Sequence, residues 1–193
     1  MPNDAVFDYK NQPVFNRQIN TYQSPGTVAP PDADAASSGR EFMTTATNSQ
    51  SLGVLGGSVV ITLQLSNPNG SGRTLYLSRI AGGTGVSLSL LSSFNGTVTF
   101  VKGGTLTSPS TLTPVNGNFA SATTSVMTAR SSVSASSGGT PFMAMPLSPG
   151  PFEAQLTGAI VVPPNQAITV TVSAALTVLG VLSCTANMVW WEG

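Results

Sequence analysis

Apolar and polar residues alternate in short runs along most of this chain, and Gly, Pro, Asn and Ser separate the runs. The clearest runs cover residues 59–65, 86–90, 98–102, 168–173 and 182–190. A period of two places successive side chains on opposite faces of a strand, and no window shows a sustained helical period with caps. Many short strands separated by turn residues are typical of a sandwich or a barrel. The pattern therefore predicts an all-β fold.

Several turns are also predicted. Residues 67–72 (NPNGSG) form a turn signal, and the strand that follows over 73–80 is expected to end at the turn 82–85 (GGTG). Asn95-Gly96 predicts a hairpin. For the Ser/Thr-rich segment 108–140 we expect strands joined by long loops.

Two features favour a jelly-roll-like antiparallel β-sandwich with an extended N-terminal arm over an up-and-down barrel. The strands differ in length, and long irregular loops fall between them. Residues 159–166 (AIVVPPNQ), followed by a strongly alternating strand, resemble the corner where a jelly-roll chain passes from one sheet to the other.

The first 41 residues differ from the rest in composition. They contain eight of the fourteen charged residues and a stretch rich in Pro, Ala, Ser and Gly. We therefore divide the chain into an N-terminal arm and possible donor strand (residues 1–23), a flexible linker (24–41) and a β-sandwich body (42–193).

Low charge indicates that neighbours cover much of the surface. Only 7% of the residues are charged and the net charge is zero, whereas an ordinary soluble domain has roughly 25% charged residues. Charge of one sign keeps protein surfaces apart in solution. We therefore expect the partners to be other copies of the chain, as a homo-oligomer or polymer.

Other classes of partner fit the composition less well. Seven scattered Lys and Arg residues form no basic patch for nucleic acid. The most apolar stretch, 167–191, is interrupted by Ser, Thr, Gly and Asn, so no membrane insertion is expected. The N-terminus lacks the pattern of a secretory signal. A location outside a cell, on a cell or spore surface or in a virion, would then be reached without a classical signal peptide.

The residue types argue against catalysis, so no enzyme is expected and no catalytic, cofactor or metal site is assigned. The chain has no His, which removes the usual general base and most zinc sites. The body has only Glu153 and Glu192 as carboxylates, and Glu192 is expected to be a solvated terminus. Asp32 and Asp34 are interpreted as soluble linker residues. The single Cys184 is expected to be a small buried hydrophobe, with an intermolecular disulfide as the alternative.

The arm has the properties of a strand that is donated to a neighbouring subunit. Its two short β-capable patches carry the candidate interface residues Phe7, Tyr9, Val14, Phe15 and Ile19. An extended segment can complete an exposed sheet edge by strand addition. The alternative is that the arm folds back on its own body or is disordered.

The last strand ends in Trp190-Trp191. Neighbouring strand residues face opposite sides, so one Trp is expected in the core and the other outside. Trp191 is the candidate interface residue of the body, because an exposed indole suits an interface. The alternative is that both indoles are covered within one chain.

Residues 67–72, the following Leu75-Tyr76-Leu77 and the terminal Trp190-Trp191-Glu192 resemble a group of small jelly-roll proteins of spore-forming Gram-positive bacteria. The chain is also similar in style to subunits of endospore appendages, whose N-terminal connector docks into a neighbouring subunit. This resemblance implies a role in a filament or a spore surface. The chain departs from those subunits because it lacks their N-terminal cysteines, and Cys184 alone can join subunits only in pairs.

Three functions remain open at this point. The first is a structural subunit that self-assembles into an extracellular filament or surface appendage through arm docking and sheet-edge contacts. The second is a capsid, decoration or tail protein of a phage or virus. The third is a carbohydrate-binding or adhesive module, with glycan contact through Tyr76, Phe94 and Trp191.

Overall fold

The computed structural model describes residues 31–88 and 93–193, and the predicted arm residues 1–23 lie outside these ranges. One helix and eleven strands occur in the described part. The helix α1 spans Pro31–Ser37, and the strands are β1 (Glu41–Leu52), β2 (Gly57–Asn67), β3 (Leu75–Leu88), β4 (Phe94–Lys102), β5 (Ser110–Leu112), β6 (Val115–Asn116), β7 (Thr128–Ser132), β8 (Thr140–Leu147), β9 (Gly150–Val162), β10 (Gln166–Leu176) and β11 (Gly180–Glu192). No helix in these ranges is long and apolar enough to cross a membrane.

The strands form two antiparallel sheets that pack face to face. Sheet 1 has five strands in the order β6-β1-β11-β3-β9, and sheet 2 has six in the order β5-β7-β2-β10-β4-β8. Strand β2 packs against β1 and β11, and β10 packs against β11. The antiparallel β-sandwich predicted from the sequence is confirmed.

The two ends of the sandwich are defined by their turns. We call the end at the β1–β2 turn (residues 53–56) the tip, where Leu52 also pairs with Gly180. We call the opposite end the base, where β1 begins and where β9 continues into β10 through residues 163–165. The corner between sheets predicted over 159–166 is confirmed, because β9 belongs to sheet 1 and β10 to sheet 2.

The core lies between the inner faces of the two sheets, as the alternation predicts. The predicted face of β11 is fully buried and consists of Leu182, Cys184, Ala186, Met188 and Trp190. From sheet 2 the core receives alternate residues of β2 and β10, which are also buried. Burial of a Leu, Ile or Phe side chain contributes roughly 1.5–3 kcal/mol, so these rows are the main source of stability.

A Ser/Thr-rich segment between β4 and β8, residues 103–139, covers the outer face of sheet 2. We call it the cover segment. It is held by polar contacts with outward side chains: Gln64 Nε2 donates to the Gly104 carbonyl, Thr169 Oγ1 donates to the Gly103 carbonyl, and Thr62 Oγ1 donates to the Ser134 carbonyl. The segment contributes β5 and β7 to sheet 2 and β6 to sheet 1, so it closes one lateral side of the sandwich.

Two glycine-containing turn predictions are wrong. Residues 82–85 lie inside β3 and pair with β11 on one side, and residues 82–84 also pair with β9 on the other. A Cβ on Gly82 would come within 2.1 Å of the Thr185 carbonyl oxygen, so glycine is needed for close packing. Likewise Asn95 and Gly96 pair with β10 inside β4, where the Phe94 ring packs on Gly96.

Helix α1 lies within the range predicted as a flexible linker. Pro31 is its first residue, and Asp32 and Asp34 lie in its first turn, where carboxylates interact favourably with the helix dipole. Ala35 is buried against the body, and the helix ends at Ser37 and is followed by a turn at Gly39, whose φ of 65° suits glycine. The described part of the linker range, residues 31–41, is therefore folded onto the sandwich.

The prediction that Glu192 is a solvated terminus is wrong. Its side chain is buried at the base and accepts hydrogen bonds from Ser125 Oγ, the Val126 N–H and Trp190 Nε1. Residues of the cover segment therefore fix the end of the last strand. The sequence could not show this, because Ser125 and Glu192 are far apart along the chain.

Candidate assembly surfaces

The candidate interface residues divide between two regions. The five arm residues Phe7, Tyr9, Val14, Phe15 and Ile19 lie outside the described residues. Trp191 lies at the base, on the outer face of sheet 1, and is half-buried, whereas Trp190 is fully buried in the core. The opposite orientation of the two indoles is confirmed.

Trp191 is packed within its own chain. Its ring stacks on Tyr76 with a centroid distance of 5.3 Å and an interplanar angle of 10°. On β9, Thr157 and Gly158 both have positive φ, and a Cβ on Gly158 would lie 2.0 Å from Trp191 Cη2. The indole therefore fits over a glycine in an irregular part of β9, and only part of its surface is left for a partner.

The three aromatic residues considered for glycan contact do not form one platform. Tyr76 and Trp191 lie together at the base of sheet 1. Phe94 pairs with Leu176 at the tip of sheet 2 and packs against the core. A sugar could stack on no more than one of these two places at a time.

An apolar patch lies at the tip, which we call the tip patch. The β1–β2 turn presents Val54 and Leu55, which are 80% and 95% exposed. Leu179 and Val181, which are about half exposed, lie where β11 starts at the same end. Because these four apolar side chains have no charged residue among them, they would be buried favourably by a partner.

A cavity of about 550 Å³ opens at the base between β8, β9 and β10. We call it the base cavity. Its lining is mainly apolar and includes the half-exposed Phe142 and Val161 together with Ile160 and Pro163; Lys102 lies at its margin. The tip patch and the base cavity therefore lie at opposite ends of the sandwich.

A second cavity, of about 560 Å³, lies on the outer face of sheet 1. Met43, Ala81 and Val189 form part of its floor, and the 88% exposed Phe119 of the cover segment lies at its rim. An exposed ion pair, Arg79 with Glu153 at 3.6 Å, borders this cavity.

The lateral side of the sandwich opposite β5, β6 and β7 is bounded by β8 and β9. We call it the open side. The inward apolar side chains of these two strands contact the core but are only partly buried, in contrast to the fully buried rows of β2, β10 and β11. They are Met143, Met145, Leu147, Phe152, Ala154, Leu156 and Ile160. In the described chain β8 and β9 each pair with one strand only, so each has a free edge.

Ionisable groups are sparse at these surfaces. Burial, with a smaller contribution from Asp32, raises the pKa of Glu41 above its ordinary value, and Arg79 opposes the shift. Burial also raises the pKa of Cys184 to about 11, so this thiol is neutral at physiological pH. Among the described residues, His, Cys, Asp and Glu do not come together in a group of three or more that could hold a metal ion.

The surfaces described here were only partly predictable. Sequence reasoning named Trp191 but missed the tip patch, the base cavity and the open side. The alternation of Met143, Met145 and Leu147, and that of Phe152, Ala154 and Leu156, was a usable signal for two strands with one apolar face. Comparison of the chain with protein-family models, with curated proteins and with solved structures found no match.

Proposed function

We propose that this protein is a structural subunit that assembles with copies of itself into a filament or surface appendage. The observation that supports this proposal most directly is the placement of the tip patch and the base cavity at opposite ends of a sandwich with few charges. Contact between unlike ends of identical subunits is heterologous, and such contacts generate open helical filaments when the rotation does not close.

Contact between subunits would bury the apolar residues that are exposed at both ends of a single chain. Val54 and Leu55 on the tip of one subunit would enter the base cavity of the next, near Phe142 and Val161. Each apolar side chain that is removed from water contributes about 25 cal/mol per Å². Docking of the N-terminal arm and contacts between sheet edges would add to this end-to-end contact, and the filament would lie outside the cell or on a spore surface.

A virion protein is the second candidate, and the strand order favours it. When the three short strands are set aside, β1-β11-β3-β9 face β2-β10-β4-β8. This order, with the first and last long strands adjacent, supports our inference of a jelly roll, which has a double Greek key arrangement and is used by viral capsid domains. The same fold serves unrelated functions, so the order supports the fold more strongly than the function.

Negative-stain electron microscopy of the full-length protein, with light scattering on the same sample, tests the proposal. Regular fibres are the expected result. Closed shells would support the virion function instead. Particles with the mass of a single chain at every concentration would overturn both the filament and the virion function. The carbohydrate-binding or adhesive module would then be the remaining candidate.

A further inference from the structure

We propose that the open side is the acceptor for the N-terminal arm of a second copy, which adds as a strand beside the free edge of β9. This inference rests on the proposed function, because it assigns the surface through which arm docking would join subunits. It explains an asymmetry of the sandwich: the cover segment closes one lateral side, whereas on the other side the inward apolar residues of β8 and β9 remain partly exposed.

β9 is the better acceptor of the two edge strands. β8 has only eight residues and includes Pro141 and Pro146, which have no N–H to donate to an added strand. β9 has thirteen residues with a single proline, Pro151, near its start, and its run from Phe152 to Gln155 pairs in regular register with β3. An added strand beside this run can form main-chain hydrogen bonds and also cover the inward side chains of β8.

The arm has an apolar face of suitable length for this edge. Between residues 5 and 19, the large apolar side chains Phe7, Tyr9, Phe15 and Ile19 all occupy odd positions, whereas the even positions are mainly polar or charged. In an extended strand, residues of one parity share one face. The odd face would pack on the open side and the even face would remain in water, with Val6 and Val14 as the exceptions.

The position at which the arm is attached to the body favours docking to a second copy. Residues 20–30 join the apolar part of the arm to α1, which packs against β1, β11 and β9. The arm therefore leaves the body near the base, because α1 leads directly into the start of β1. In an end-to-end stack, the tip of the next subunit contacts the base of the first. The start of β9 in that next subunit lies toward its tip and therefore near the arm of the first subunit. The eleven linking residues span up to ~36–40 Å when extended, so the arm can reach along that neighbour's open side.

Site-specific cross-linking of full-length chains tests this assignment. One preparation carries Met145→Cys on β8, and a second carries Tyr9→Cys or Phe15→Cys on the odd face of the arm. The two are mixed and treated with a bismaleimide that spans about 10 Å, the separation of packed sheets. The native Cys184 is buried and does not compete. Asn16→Cys, on the even face, is the matched control.

We expect a cross-linked pair of chains when Met145→Cys is mixed with Tyr9→Cys or Phe15→Cys. We expect no such pair when Met145→Cys is mixed with Asn16→Cys. Equal cross-linking by Asn16→Cys would overturn the assigned face. In a chain that carries both Phe15→Cys and Met145→Cys, a cross-link formed only within the chain would overturn docking to a second copy. Fibres without any cross-link to Met145 would overturn the acceptor site alone, whereas absence of both fibres and cross-links would overturn the proposed function.

Discussion

Trp190 Nε1 donates a hydrogen bond to Glu192 Oε1 across 3.3 Å, and both side chains are buried at the base of the sandwich. Glu192 also accepts hydrogen bonds from Ser125 Oγ and the Val126 N–H of the cover segment. The carboxylate therefore connects the final strand, the core indole and the cover segment.

Replacement of Glu192 by Ala should destabilise the fold by about 2–4 kcal/mol, because it leaves buried donors without an acceptor. Urea denaturation followed by tryptophan fluorescence measures this change. Glu153→Ala is the matched control, since Glu153 is exposed and its ion pair with Arg79 is a surface pair; we expect a change of less than ~1 kcal/mol. Equal losses for the two variants would contradict the role assigned to Glu192.

The contact between Trp191 and Gly158 predicts a second stability effect. Gly158→Ala introduces a Cβ that overlaps the indole and also strains a residue with a φ of 80°. We expect a loss of about 2–4 kcal/mol. Gly70→Ala has a similar φ of 76° but nothing within 4 Å of the new Cβ. The difference between the two variants in thermal denaturation therefore isolates the overlap, and no difference would show that Trp191 moves aside freely.

The sequence predicted the core well because that prediction needs only local alternation. Strands β2, β10 and β11 show a period of two over most of their length, and their inward residues are buried. Glycines misled the turn assignments, because Gly82 and Gly96 serve close packing inside strands instead of positive φ in turns. The open side could not be predicted, because the exposure of β8 and β9 depends on which strands are their neighbours.

Protonation of Glu41 at low pH should raise the free energy of unfolding. Burial and Asp32 raise its pKa in the folded state above the unfolded value near 4.5. The folded chain therefore binds the proton more tightly, and this contribution to stability is present at low pH and is lost as pH rises through the raised pKa. Glu41→Gln should flatten the pH dependence of the melting temperature just above pH 4.5. An unchanged profile for Glu41→Gln would show that another group is responsible.

Cys184 should resist thiol reagents in the folded protein. Its side chain is fully buried and its pKa is raised to about 11, so little thiolate forms at pH 8. We expect negligible maleimide labelling of the native protein and complete labelling in urea. Ser183→Cys in a Cys184→Ala background places a thiol on the outer face of the same strand as a control and should be labelled without urea. For the same reason a reducing agent should leave any assembly intact, and its dissolution would contradict a buried, unpaired Cys184.

The tip patch offers the most direct test of end-to-end assembly. Leu55 is 95% exposed, so Leu55→Asp should change the free energy of unfolding by less than ~0.5 kcal/mol. In a contact with this mainly apolar cavity, the same aspartate must lose part of its hydration, a cost that pairing with Lys102 at the cavity margin would offset only in part. A penalty of only about 1.4 kcal/mol already weakens the contact tenfold, so the concentration at which fibres appear should rise at least ~10-fold. Ser110→Asp adds the same charge at an exposed position in β5, on the lateral side opposite the open side, and controls for charge alone. Sedimentation over a range of concentrations compares the variants, and an equal shift for both would show that repulsion, not the tip contact, limits assembly.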